Sequence, residues 1–244
     1  MGFGDWDLFG SIGSIWNLDL STHLSLGIRH FEMYINQSLK KYLDDLAART
    51  PTPGGGSAAA FTSALGCALL SMVANFTIGN PKYKETDAEA KKYLEEAEKL
   101  RLRLMELVDL DVSSYEKVYQ AQKMPKETVE EKAKRKEKIQ EATREAVAVP
   151  WEICRLSAQG LKLCQNMVEK TNINLISDLA VAASLLKAGF RSGLVNVEIN
   201  LSVLEDTDFI VKIRQVLEPL EKESEVLSGV ILERVKEKLT SKHE

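Results

Sequence analysis

From about residue 35 onward, apolar residues recur at three- and four-residue spacings almost without interruption, a pattern that predicts helices. In INQSLKKYLDDLAA, Ile35, Leu39, Leu43 and Leu46 fall on one helix face. SAAAFTSALGCALLSMVANFTIGN follows, a helical run without a single charged side chain. TDAEAKKYLEEAEKLRLRLMELVDLDVSSYEKVYQAQ reads as a long amphipathic helix, with Thr86 or Asp87 as its cap. TVEEKAKRKEKIQEATREAVAV begins as a solvated, charged helix and turns apolar towards Pro150, which ends or kinks it. WEICRLSAQGLKLCQNMVEK, NLISDLAVAASLLKAGFRSGLVNVEINLSVLE and a final helix to about Leu239 complete the pattern. LVNVEINL alternates as a strand would, but no second strand pairs with it, so it is read as helix. The expectation is an all-α, single-domain bundle of long helices over residues 35–244.

The charge-free run is long enough to cross a bilayer. It also holds Ser57, Thr62, Ser63, Ser71, Asn75 and Thr77, and many of its apolar positions are alanine. A central helix surrounded by other helices accounts for it better, and no membrane partner is expected. Residues 1–34 differ from the rest. They are rich in Gly and Ser, hold Trp6 and Trp16, and carry no Lys or Arg before Arg29, so the basic start of a signal peptide is missing. They are read as an N-terminal appendage, poorly ordered.

The net charge of −4 gives no basic excess, so nucleic acid is not an expected partner. Cys67, Cys154 and Cys164 are scattered along helical, mostly apolar segments. They read as buried free thiols in a reducing compartment. His23 and His30 lie in the appendage and His243 at the C-terminus. Histidine-based nucleophilic machinery and a His/Cys zinc site are therefore disfavoured, and no metal is expected.

Carboxylates are the next candidates for chemistry. The helical neighbours of Asp111 are Leu104, Leu107, Val108, Ser114, Tyr115 and Val118, a mainly apolar stripe. Asp109 has Glu106 and Glu116 among its neighbours, which places it nearer water. A carboxylate held against apolar residues has a raised pKa and suits proton transfer near neutrality. The equally weighted alternative is a core aspartate paired with an arginine or capping another helix. Asp178 also has largely apolar neighbours, but Ser177 or Asp178 could simply cap or complement a helix start. Asn196 and Asn200 would share one helix face, able to orient a polar ligand or to satisfy backbone groups.

The stretch RTPTPGGGSAAAF sets Pro51 and Pro53, then Gly54, Gly55 and Gly56, directly before a helix. Ser57 suits the N-cap. A helix N-terminus without preceding side chains lets a carbonyl or an anion approach its free N–H groups. A tight corner between touching helices is the other explanation. The stretch fits neither a Walker A loop nor a dinucleotide fingerprint.

TPTPGGGSAAAFTSALGCALLSMVANFTIG, LVDLDVSSYEKVYQAQKMPKETVEEK, EAVAVP and NLISDLAVAASLL with the later NVEINL together resemble the cyclodeaminase/cyclohydrolase family. The family holds the C-terminal domain of formimidoyltransferase-cyclodeaminase and stand-alone methenyltetrahydrofolate cyclohydrolases. The resemblance runs from about Ile35 to Leu239 and leaves out the appendage. It implies an all-helical fold, a homodimer, a tetrahydrofolate one-carbon substrate and no cofactor beyond that folate; a cytoplasmic location is expected beside it. The family's catalytic aspartate falls on Asp111, with Asp178 in support. Pro53, Gly54, Gly55, Gly56, Ser57, Asn196 and Asn200 match residues expected to bind substrate, and Lys82 and Lys84 are candidates for the glutamate tail. KMPKETVEEK tips the expected activity towards formimidoyltetrahydrofolate cyclodeaminase. Methenyltetrahydrofolate cyclohydrolase, on the same site, is the alternative, and a non-catalytic bundle binding folate or a protein is the rival.

Overall fold

The computed structural model describes residues 33–240. The reading of residues 1–34 as an appendage falls almost wholly outside the described residues. Seven α-helices make up the described part: α1 (Leu39–Leu46), α2 (Gly55–Thr77), α3 (Asp87–Gln122), α4 (Val129–Ala146), α5 (Ala148–Met167), α6 (Ile176–Ser202) and α7 (Thr207–Thr240). Short 3₁₀ turns at Tyr34–Asn36, Pro81–Thr86 and Ile173–Leu175 join them. No strand occurs among the described residues, and LVNVEINL lies within α6.

The uncharged α2 is the central helix. It runs between α3 and α6 with α5 behind it. Small residues let the backbones close up. A methyl added at Gly189 of α6 would overlap Ser63 Oγ and stand 3.2 Å from the Ala59 carbonyl oxygen. One added at Gly66 of α2 would lie 2.7 Å from Leu186 Cγ and 3.1 Å from the Ala182 carbonyl oxygen. These pairings run α2 antiparallel to α6. Ser63 and Ser157, both buried, share a 2.7 Å hydrogen bond between α2 and α5. Burial against three helices explains why α2 needs no charge. α2 and the segment Ile173–Ser202 are long and apolar enough to cross a membrane by length and composition, with 61% and 39% of their most apolar windows buried inside the protein.

All three cysteines are buried and free. Burial pushes the Cys67 and Cys164 thiols up to about 12, so they behave as small apolar groups. Arg103 of α3 makes a bidentate ion pair with Glu152 of α5, at 3.0 and 2.8 Å.

Helix boundaries depart from the sequence reading at three places. α2 starts two residues before Ser57, with Gly54 as its N-cap and no side-chain capping bond. Thr86 precedes α3 without a capping bond, and Asp87 instead accepts the Gly79 N–H at 2.7 Å. Pro150 does not end a helix. The break falls at Val147, and Pro150 sits in the first turn of α5, where its missing N–H is tolerated.

Candidate active site

Asp111 stands where the N-terminus of α2 meets the middle of α3. Its Oδ2 accepts the backbone N–H of Ser57 at 2.8 Å. Gly54 offers α2 no side-chain cap, so a carboxylate from another helix supplies it. The arrangement depends on glycine. A methyl at Gly56 would overlap the Asp111 carboxylate, with Cγ at 2.6 Å, and one at Gly55 would touch the Asn196 side chain at 3.5 Å. The consecutive glycines thus let α3 and α6 side chains lie directly against the start of α2. Gly54 has nothing nearer than the Pro51 carbonyl oxygen at 3.8 Å. Pro53, buried and joined to Thr52 by a cis peptide, leads the chain into this corner. Among the described residues, no acceptor meets the N–H groups of Gly55 and Gly56.

The electrostatics follow from burial. Desolvation lifts the Asp111 carboxyl to about 6, opposed by the hydrogen bond from the Ser57 N–H. Both sequence readings of Asp111 therefore describe it: it caps another helix, and its pKa lies near neutrality. Tyr42 of α1 is buried and its hydroxyl lies 3.2 Å from Ser57 Oγ. Its ring meets Tyr34 edge-on at 5.5 Å and Phe61 at 5.4 Å.

Asp109, which the sequence places nearer water, has a structural role beside the corner. It is half-buried, and its carboxylate accepts the N–H of Tyr34 at 2.7 Å and that of Ile35 at 3.4 Å. Desolvation raises its pKa, and those two bonds lower it. Two carboxylates two residues apart on α3 thus hold two separate segments, the turn at Tyr34–Asn36 and the glycine corner.

Asn196 lies at the site, its Nδ2 donating to the Ser192 carbonyl at 2.8 Å. Asn200, one turn on, donates to the Ala146 carbonyl at 3.2 Å. That carbonyl is the one a residue-150 N–H would have served, and Pro150 has none. Asp178 is not brought to Asp111 within the chain. It sits in the first turn of α6, complementing the helix dipole, about 27 Å along the helix axis from Asn196. Lys82 and Lys84 lie in the turn before α3, about 36 Å along α3 from Asp111. Among the described residues, no three His, Cys, Asp or Glu side chains gather as metal ligands.

A carboxylate of raised pKa, seated on a glycine-lined helix start in an all-helical scaffold, is what the site presents. The chain belongs to the formiminotransferase-cyclodeaminase family, whose match spans residues 38–219. It is 43% identical to a methenyltetrahydrofolate cyclohydrolase of Methylorubrum extorquens, over 84% of this chain and 98% of that one. It is 33% identical to the formimidoyltransferase-cyclodeaminase of Sus scrofa, over 82% of this chain but only 37% of that longer protein. The crystal structure of a formiminotetrahydrofolate cyclodeaminase from Thermotoga maritima superposes with a TM-score of 0.70 at 33% identity, covering 86% of this chain and 98% of that one.

Proposed function

We propose that this protein is an enzyme acting on the one-carbon bridge of tetrahydrofolate, and that it hydrolyses 5,10-methenyltetrahydrofolate with Asp111 as the acid/base. The observation that carries this reading is the Asp111 carboxylate, held on the Ser57 N–H with its pKa near 6. At neutral pH it is ionised yet more basic than an ordinary carboxylate. It takes a proton from water as the oxygen adds to the cationic methenyl carbon, giving a neutral adduct. The bond from that carbon to N5 then breaks, N5 receives the proton from Asp111, and the hydroxyl proton leaves to solvent as the formyl group forms. Before attack, the same negative charge stabilises the cationic substrate. The N–H groups of Gly55 and Gly56, with the Asn196 amide, orient the pterin's polar edge. Pro53, Gly54, Ser57 and Asn200 set the backbone that carries them. Asp178 is too far along α6 to serve the same carbon from within this chain.

Identity across nearly the whole of a cyclohydrolase of similar length supports hydrolysis. The solved Thermotoga relative supports a second reading, cyclodeamination. There N10 would attack the formimino carbon, and Asp111 would take the proton from N10 and deliver one to the departing ammonia. Neither reaction calls for a cofactor beyond the folate. Purified protein should accelerate the loss of the methenyl chromophore above its spontaneous rate. Ammonia release from formimidoyltetrahydrofolate without methenyl hydrolysis would select the second reading, and no acceleration of either would overturn both.

The reading extends to a cytoplasmic homodimer without nucleic-acid or membrane partners. On the side of α2 and α6 away from α5, Leu65, Phe76, Val181, Val195 and Ile199 are exposed. A second copy covering this face would bury them.

A further inference from the structure

The helix that carries Asp111 runs on past the helix that it caps. α2 and α3 are antiparallel, and α2 begins at the level of Asp111, so the last eleven residues of α3 extend about 16 Å beyond it. The face of α3 that lies under α2 upstream comes into the open there. There it turns from aliphatic to aromatic: Tyr115, one turn from Asp111, is 40% exposed. Tyr115 stacks on Tyr119, the next residue at the same spacing, with ring centroids 6.4 Å apart and planes 19° from parallel. The next, Lys123, places its ammonium 4.0 Å from the centroid of the Tyr119 ring. Lys123 has no carboxylate partner among the described residues, whereas its neighbour Lys117 is paired with Glu145 at 3.0 Å.

Resting on the folate reading above, we propose that this stripe receives the aminobenzoyl-glutamate tail of the substrate. With the reacting carbon at Asp111, the tail leaves along α3 towards its C-terminus. The benzoyl ring lies against the Tyr115 and Tyr119 rings, and the glutamate carboxylates meet Lys123. The order of groups matches the order of the substrate: proton transfer at the pterin end, a flat platform, then a cation. Offset stacking suits a planar ring, and an ammonium already placed over an aromatic face is held for a carboxylate. Lys82 and Lys84, at the opposite end of α3, do not lie on this path.

The test compares two substrates. One is methenyltetrahydrofolate; the other is its tail-less analogue ending in a neutral benzamide. Lys123→Glu should raise KM at least tenfold for the first and less than twofold for the second. Tyr119→Ala should raise KM for both, because the platform is shared, without lowering the melting temperature as a purely structural pair would. Equal effects of Lys123→Glu on both substrates, or none on either, would overturn the tail site and leave the folate reading standing. If the wild type turns over neither substrate, the hydrolysis reading fails on its own. Calorimetric binding of p-aminobenzoyl-triglutamate then decides the tail site: binding that Lys123→Glu abolishes upholds it, and absent binding overturns it.

Discussion

In the proposed reaction, Asp111 is the residue on which the chemistry turns. Its carboxylate combines a hydrogen bond that favours ionisation with burial that opposes it, and burial prevails. The sign of the consequence is definite. An acid whose folded pKa exceeds its unfolded one binds more protons folded, so stability falls as pH rises from about 4 through about 6 and is level above. Holding Asp111 ionised at neutral pH costs the fold about 3 kcal/mol. Asp111→Asn keeps an oxygen for the Ser57 N–H and removes the charge. It should leave the melting temperature at pH 7.5 equal or higher, by calorimetry, while turnover falls about 10²- to 10⁴-fold. The apolar surroundings of Asp111 were legible from its helical neighbours. The role of Asp109 was not, because its partners are N–H groups 74 and 75 residues away. The role of Asn200 was half legible: Pro150 announces a carbonyl without a donor, but only the fold shows which amide reaches it. Asn200→Ala should therefore destabilise the protein by about 1–3 kcal/mol in urea unfolding, with KM moving less than stability.

Among elements, the contact between α2 and α6 has the least tolerance. Gly189→Ala would push a methyl into Ser63 Oγ and the Ala59 carbonyl, at a cost of about 1–3 kcal/mol by denaturant unfolding. Gly56→Ala would instead displace the Asp111 carboxylate. It should lower turnover as severely as Asp111→Asn does, while Gly54→Ala, with open space around it, should lose far less. All the long helices were legible from periodicity and charge, since each buries one stripe and α2 buries more than one side, against α3, α5 and α6. The N-cap of α2 was misplaced by three residues. Ser57 is locally the best cap, and nothing local reveals that a carboxylate 54 residues away does the capping. The glycines posed a choice between ligand cradle and tight corner. They form a tight corner that admits the Asp111 carboxylate to the helix start, and the cradle is kept in the proposed role of the Gly55 and Gly56 N–H groups.

At the scale of the molecule, the uncharged α2 serves two surfaces. One side buries against α5, and the other presents Leu65 and Phe76 beside Val181, Val195 and Ile199 of α6. If a second copy covers this face, Leu65→Arg with Ile199→Arg should shift the protein from dimer to monomer in sedimentation velocity; a wild type already monomeric at micromolar concentration would contradict the dimer. Periodicity alone left this face hidden. A helix apolar all round reads the same whether its last side meets its own chain or another.

The most direct test of the account is the pH dependence of kcat/KM for methenyltetrahydrofolate hydrolysis, measured for the wild type and for Asp111→Asn. The wild type should show an ascending limb with its midpoint near 6 and a plateau above, following ionisation of Asp111. The variant should be low and flat. A folded Asp111→Asn protein that retains wild-type activity, or an ascending limb that survives in it unchanged, would contradict the assignment of the acid/base to Asp111.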